Sequence, residues 1–89
     1  MKIKSGFILE QVGDSWLAVA VGDLANTFHA LIKLNSTGAF LWNKISENNL
    51  TEGELVDCLL AEYEVERDRA ERDIKNFVAT LRTGGLLDD

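Results

Sequence analysis

The spacing of the apolar residues changes abruptly at Leu34-Asn35, and this change constrains the fold more than any other feature of the chain. Upstream, Thr27-Phe28-His29-Ala30-Leu31-Ile32-Lys33-Leu34 reads as a strand over 27–34. Downstream, Ala39, Trp42 and Ile45, with Phe40 beside them, recur at helical spacing over 36–46. Asn35 and Ser36 each carry a short side-chain oxygen able to accept an orphan amide N–H of a first helical turn. The strand hands over to the helix with no linker.

Two further strands precede this junction. Residues 7–12 (Phe-Ile-Leu-Glu-Gln-Val) and 15–21 (Ser-Trp-Leu-Ala-Val-Ala-Val) flank Gly13-Asp14, a two-residue hairpin signal. A longer link, Gly22 to Asn26, leads to the third strand. Short connections favour sequential antiparallel neighbours, so the expected sheet is a meander with its first and third strands at the edges. After the first helix, Thr51-Glu52-Gly53-Glu54 forms a capping box ahead of Leu55, Cys58 and Leu59 and predicts a second helix over 52–63. A third helix, over 66–83, has acids in its first turn and an apolar stripe of Ala70, Ile74, Phe77, Val78 and Leu81. Gly84 is expected as its left-handed C′ residue, with Leu86 and Leu87 folding back on the core. The predicted class is therefore α+β. A three-stranded antiparallel β-meander is followed by three helices, winged-helix-like in altered chain order, in a single domain over 1–89.

Composition removes several function classes. With 89 residues, 46% of them apolar, the chain can fill one modest core and is not a disordered segment. No apolar stretch approaches the ~18 residues needed to cross a bilayer, and Met1-Lys2-Ile3-Lys4-Ser5 opens no signal-peptide pattern. The lone Cys58 excludes an internal disulfide, and the expected setting is the cytoplasm. Net charge is −6. Arg67, Arg69, Arg72 and Lys75 are interleaved with Glu64, Glu66, Asp68, Glu71 and Asp73, with Asp68–Arg72 and Glu71–Lys75 at i, i+4. A duplex-binding face gathers its bases instead, so nucleic acid is not an expected partner.

No catalytic constellation competes for attention. His29 is the only histidine and has no cysteine pair to join it in a metal site. Cys58, between Leu55 and Leu59, reads as a buried structural thiol with no basic neighbour to activate it. The Gly84-Gly85 doublet precedes no helix and is not a phosphate cradle. Trp42 belongs to the core stripe of the first helix, and Trp16 fits either surface or core. No metal, cofactor or catalytic residue is expected. What remains is surface: the third strand has apolar residues in both alternating sets and lies at a sheet edge. Such an edge is a hazard unless it is covered, charged or used to add a peptide strand.

Three segments, taken in order, carry a family resemblance. They are Leu34-Asn35-x-Thr37-Gly38-Ala39-x-Leu41-Trp42, Thr51-x-x-Glu54-Leu55-Val56, and the tail Glu71-Arg72-Asp73-Ile74-x-x-Phe77-Val78-x-x-Leu81-x-x-x-Gly85-Leu86-Leu87. Over about residues 5–87 the chain resembles the PqqD-like family, the recognition elements of ribosomally synthesised, post-translationally modified peptide pathways. The resemblance implies a non-enzymatic protein that binds a precursor (leader) peptide antiparallel to the third strand, in the cleft between that strand and the third helix. It implies presentation of the peptide to a maturation enzyme, of radical-SAM type or a leader protease, with no cofactor and no membrane. The protein itself would be a monomer or weak homodimer. Carried onto this chain, it points to Phe28, His29, Ala30, Leu31, Ile32 and Lys33 on the strand. On the helix it points to the flank with Arg69, Asp73, Asn76, Phe77 and Thr80, Asp73 matching an acid that recurs in the family tail. His29 and Lys33 occupy positions that vary in the family, so the preferred leader stays open. Two other readings stand beside it: a winged-helix-like transcriptional regulator, and a small subunit whose third strand pairs with a partner or its own copy.

Overall fold

The computed structural model describes residues 1–22 and 32–88. Its elements are β1 (Phe7–Val12), β2 (Ser15–Ala20), β3 (Ile32–Leu34), α1 (Ser36–Glu47), α2 (Glu52–Glu62) and α3 (Arg67–Thr83). The sheet is an antiparallel meander in the order β1-β2-β3, with the three helices following it, as the α+β reading expects. Boundaries fall within about a residue of expectation, except that 27–31 of the expected third strand lie outside the described residues.

The hairpin turn shows why the sequence breaks where it does. Gly13 has φ of 62°, and among the described residues no non-glycine has positive φ, so the turn carries the type II′ signature of glycine at the first central position. Val12 then pairs with Ser15, and the register runs through to Phe7 opposite Ala20. One step beyond, the Val21 N–H donates to the Gly6 carbonyl at 2.7 Å. Because hydrogen-bonded and non-bonded pairs alternate in an antiparallel ladder, Ser15, Leu17 and Val19 direct their backbone groups at β1. Trp16 and Ala18 direct theirs at β3.

This parity fixes the other edge. Trp16 pairs with Leu34, Leu17 with Lys33 and Ala18 with Ile32. Ile32 and Leu34 therefore spend their backbone groups on β2, while the N–H and C=O of Lys33 point away from the sheet. Side chains alternate in the same way. Phe7, Leu9, Trp16, Ala18, Ile32 and Leu34 face the helices, whereas Ile8, Glu10, Val12, Leu17, Val19 and Lys33 share the outer face.

Caps start the first two helices. The Asn35 Oδ1 accepts the Gly38 N–H at 2.8 Å, so Asn35 is the N-cap and Ser36 is already helical. The Thr51 Oγ1 accepts the Glu54 N–H at 3.1 Å and the Glu54 carboxylate accepts the Thr51 N–H at 2.9 Å, which completes the capping box. Between sheet and helices lie Leu41, Trp42 and Ile45 of α1, Leu55, Val56 and Leu59 of α2, and Ala70, Ile74, Val78 and Leu81 of α3, all buried.

Four expectations need correction. The left-handed residue after α3 is Gly85, with φ of 78°, while Gly84 is right-handed at φ −77°. The Leu86 N–H reaches the Leu81 carbonyl at 3.0 Å and the Gly85 N–H that of Arg82 at 3.1 Å, the paired bonds of a Schellman motif. Gly84 matters for space instead, since a Cβ there would lie 2.9 Å from Leu86 Cδ1 and 3.2 Å from Ile32 Cδ1. Phe77 is only half-buried, because Val78 takes the centre of the stripe. Cys58 is likewise half-buried. The i, i+4 ion pairs of α3 are Arg67–Glu71 at 3.7 Å and Arg69–Asp73 at 3.8 Å, base before acid, and not the pairs expected from spacing.

The tail is held from a side that the sequence did not announce. Lys4 donates its N–H to the Leu86 carbonyl and Asp88 donates to the Lys2 carbonyl, each at 2.8 Å, around an Ile3–Leu87 bridge. Leu86 is 1% exposed as a result.

Candidate functional site: a cleft between the sheet edge and the third helix

An open cleft of about 500 Å³ lies between β3, the first turn of α1 and one flank of α3. Each wall follows from features already described. The strand passes into α1 through Asn35, and Gly38 lets the helix start tightly on β3: a Cβ there would meet Leu34 Cβ at 3.1 Å. On the far wall, one helical flank brings Arg69, Asp73, Asn76, Phe77 and Thr80 along the same side of α3. Buried Leu34 and Leu41, with half-buried Ile32 and Phe77, supply its apolar surface.

The polar groups differ in how far they are already engaged. The Thr80 hydroxyl donates to the Asn76 carbonyl at 3.0 Å, one turn back. Arg69 Nε lies 3.8 Å from Asp73 Oδ2, with both side chains more than half exposed. A solvated pair of this kind is worth only about 0.3–0.5 kcal/mol, so a ligand can displace it cheaply. Among the described residues, no hydrogen bond or ion pair engages the side-chain amide of Asn76 or the ammonium of Lys33. The cleft thus offers an outward-pointing backbone N–H and C=O, an apolar lining and a few uncommitted polar groups. These suit recognition of an extended chain by β-augmentation.

Of the residues named from sequence, Ile32, Lys33, Arg69, Asp73, Asn76, Phe77 and Thr80 come together here. Phe28, His29, Ala30 and Leu31 lie outside the described residues. Sequence reasoning missed the head of the cleft: Leu34, Asn35, Thr37, Gly38 and Leu41 also line it. The junction motif contained these residues, but their caps and packing hid the fact that the same turn closes a groove. The opposite flank of α3 faces α2, where Arg67, Glu71 and Lys75 border a smaller hollow of about 260 Å³ with Glu52, Gly53 and Val56. Arg67 also reaches Asp57 of α2 at 3.2 Å. Among the described residues, no group of three or more His, Cys, Asp and Glu is placed to hold a metal ion, and no helix is long and apolar enough to cross a membrane.

Fold and cleft together define a class: a small α+β binding module in which an edge strand and a helix flank form the walls of an open groove. A sequence profile of the family described as "Coenzyme PQQ synthesis protein D (PqqD)" matches residues 29–87, more than half of the chain, and the chain belongs to that family. Its fold is similar to that of a protein solved as "TbiB1 in Complex with the TbiA(beta) Leader Peptide". The TM-score there is 0.76 at 27% identity, over 99% of this chain and 95% of that one. It is also similar in fold to a lasso peptide synthetase B1 complexed with the leader peptide, with a TM-score of 0.72 at 24% identity, over 96% and 93% of the two chains. Among proteins of curated function, none matches by sequence.

Proposed function

We propose that this protein is a non-catalytic, cytoplasmic recognition protein that binds the leader segment of a precursor peptide and holds it for a maturation enzyme. The peptide adds as a strand to β3 and lies in the cleft walled by α3. One observation carries the reading: the outward N–H and C=O of Lys33 stand beside a cleft lined by Ile32, Leu41, Phe77 and uncommitted polar groups. Membership of the PqqD family and the likeness to proteins solved with leader peptides support it.

Energetics say what else the site must do. A few strand hydrogen bonds at about 1 kcal/mol each do not overcome an association cost of about 4–15 kcal/mol. Micromolar binding, about −8 kcal/mol, needs apolar leader side chains in the cleft as well. A winged-helix regulator reading gains nothing from a chain of charge −6.

The test is selection of random nonapeptides, displayed on phage, by the immobilised full chain, followed by anisotropy titration of an enriched peptide. Amide shifts in NMR should move around Lys33, Asp73, Asn76 and Phe77, and Phe77→Ala should weaken binding at least about tenfold. Failure to enrich any peptide, or a shift map on another face, removes the proposal.

A further inference from the structure

We propose that Lys33 sets the register and the central charge of the bound peptide. The strand that adds to β3 places an acidic side chain opposite Lys33 on the outer face of the sheet. Its two neighbours in sequence, both large and apolar, enter the cleft. This inference rests on the peptide-binding reading above and narrows its ligand to an apolar–acidic–apolar segment.

The register supplies the first half of the argument. Glu10 pairs with Leu17 and Leu17 with Lys33, so these three side chains form one row across the outer face. Lys33 is the described β3 residue whose backbone groups point outward, and an antiparallel strand added there must form a hydrogen-bonded pair with it. The peptide residue in that pair extends the row, with its Cβ about 4.5–5.5 Å from that of Lys33. Its neighbours then lie beside Ile32 and Leu34 on the opposite face, where Leu41 and Phe77 line the cleft.

Charge supplies the second half. Arg69 is already paired with Asp73 at 3.8 Å, and Leu17 separates Lys33 from Glu10 in the row. Lys33 is exposed and, among the described residues, has no ion-pair partner. Among the described residues of the strand wall it is therefore the unneutralised charge. The chain's overall charge of −6 opposes an acidic ligand. That field is screened beyond about 8–10 Å in physiological salt, whereas the cross-strand contact lies well inside this distance.

The experiment repeats the nonapeptide selection on the wild type, Lys33→Glu and Lys33→Gln, with thermal melts to show that each variant folds. Peptides from the wild type should share an apolar–acidic–apolar triplet. Exchanging the central acid for lysine should weaken anisotropy-measured binding about two- to five-fold. On Lys33→Glu the preference should reverse to a central base, and on Lys33→Gln it should vanish. Aspartate at either flanking position should cost at least about tenfold on all three proteins. A central position indifferent to charge, or a preference unchanged in Lys33→Glu, overturns the role of Lys33 while leaving peptide binding intact. Peptides whose affinity ignores Asp73→Ala and Phe77→Ala overturn the cleft reading itself.

Discussion

Replacing Lys33 by proline separates the two jobs of an edge strand, holding the sheet and receiving a peptide. Proline removes the backbone N–H and holds φ near −65°. The Lys33 N–H points away from β2, because the ladder bonds belong to Ile32 and Leu34 opposite Ala18 and Trp16. The sheet therefore loses no internal bond, and proline on an edge position is the tolerated case. Stability should fall by less than about 1 kcal/mol, a few degrees in Tm for a domain of this size. A bound peptide carbonyl, in contrast, loses its donor. That costs about 1 kcal/mol as a net bond and up to about 3 kcal/mol if the carbonyl stays desolvated, so Kd should rise about five- to 150-fold. Lys33→Gln serves as the reference, so that loss of the ammonium is subtracted. Ile32→Pro gives the opposite pattern. It removes a ladder donor, and against Ile32→Ala it should cost a further ~2 kcal/mol, or roughly 8–16 °C. Circular-dichroism melts and anisotropy with a selected nonapeptide measure both quantities. If Lys33→Pro melts as low as Ile32→Pro, the ladder parity is wrong. If it folds and binds within twofold of Lys33→Gln, the peptide does not add to this edge.

Other expectations follow from the caps, the α3 terminus and the charge distribution. Gly85→Ala must hold a Cβ at φ 78° and should cost about 1–2 kcal/mol. Gly85→Asn should be milder, whereas Gly84→Asn should be at least as damaging as Gly84→Ala because its Cβ meets Leu86 and Ile32; chemical denaturation ranks all four. Asn35→Ala and Thr51→Ala should each lower stability by about 0.5–2 kcal/mol through loss of a first-turn cap, read from denaturant midpoints. Asp73→Ala breaks only an exposed pair, so Tm should move by no more than a few degrees while peptide affinity drops several-fold. At about 0.15 M salt the protein should not shift generic duplex DNA; a micromolar complex whose log K falls steeply with log salt would contradict the reading.

Much of the architecture was legible because local signals agreed with one another. Gly13-Asp14 admits a II′ turn, and Thr51 with Glu54 spells a reciprocal cap. The α3 stripe has one period throughout, and the strand–helix junction leaves no linker to misplace. The errors arose where neighbouring residues competed for one role. Two adjacent glycines end α3, and sequence alone does not say which one takes positive φ and which one makes room for Leu86. Phe77 and Val78 both fit the stripe, and the fully buried place went to the smaller. Spacing at i, i+4 does not say which exposed ion pairs form, because pairs worth a few tenths of a kcal/mol follow local rotamers. The Ile3–Leu87 bridge joins the two ends of the chain, and no periodicity reveals such a contact. The two walls of the cleft were nameable from the family resemblance, but its head was not. Gly38 and Thr37 read as parts of a helix start, and their second role appears only when β3, α1 and α3 are placed together.

Lys33 also bears on the third reading, in which β3 pairs with a copy of itself. A free edge carrying Ile32 and Leu34 invites another strand, and a charge on that edge is a common protection against the wrong one. In a two-fold β3–β3 pairing centred on this segment, Lys33 would face Lys33, and directly opposed like charges destabilise a strand pair. Two chains of charge −6 would repel each other as well. An acid-centred peptide meets neither penalty at short range. On the proposed reading, the Lys33 charge that discourages self-association at the described edge would also favour an acid-centred strand, so protection and specificity need not be supplied by different residues.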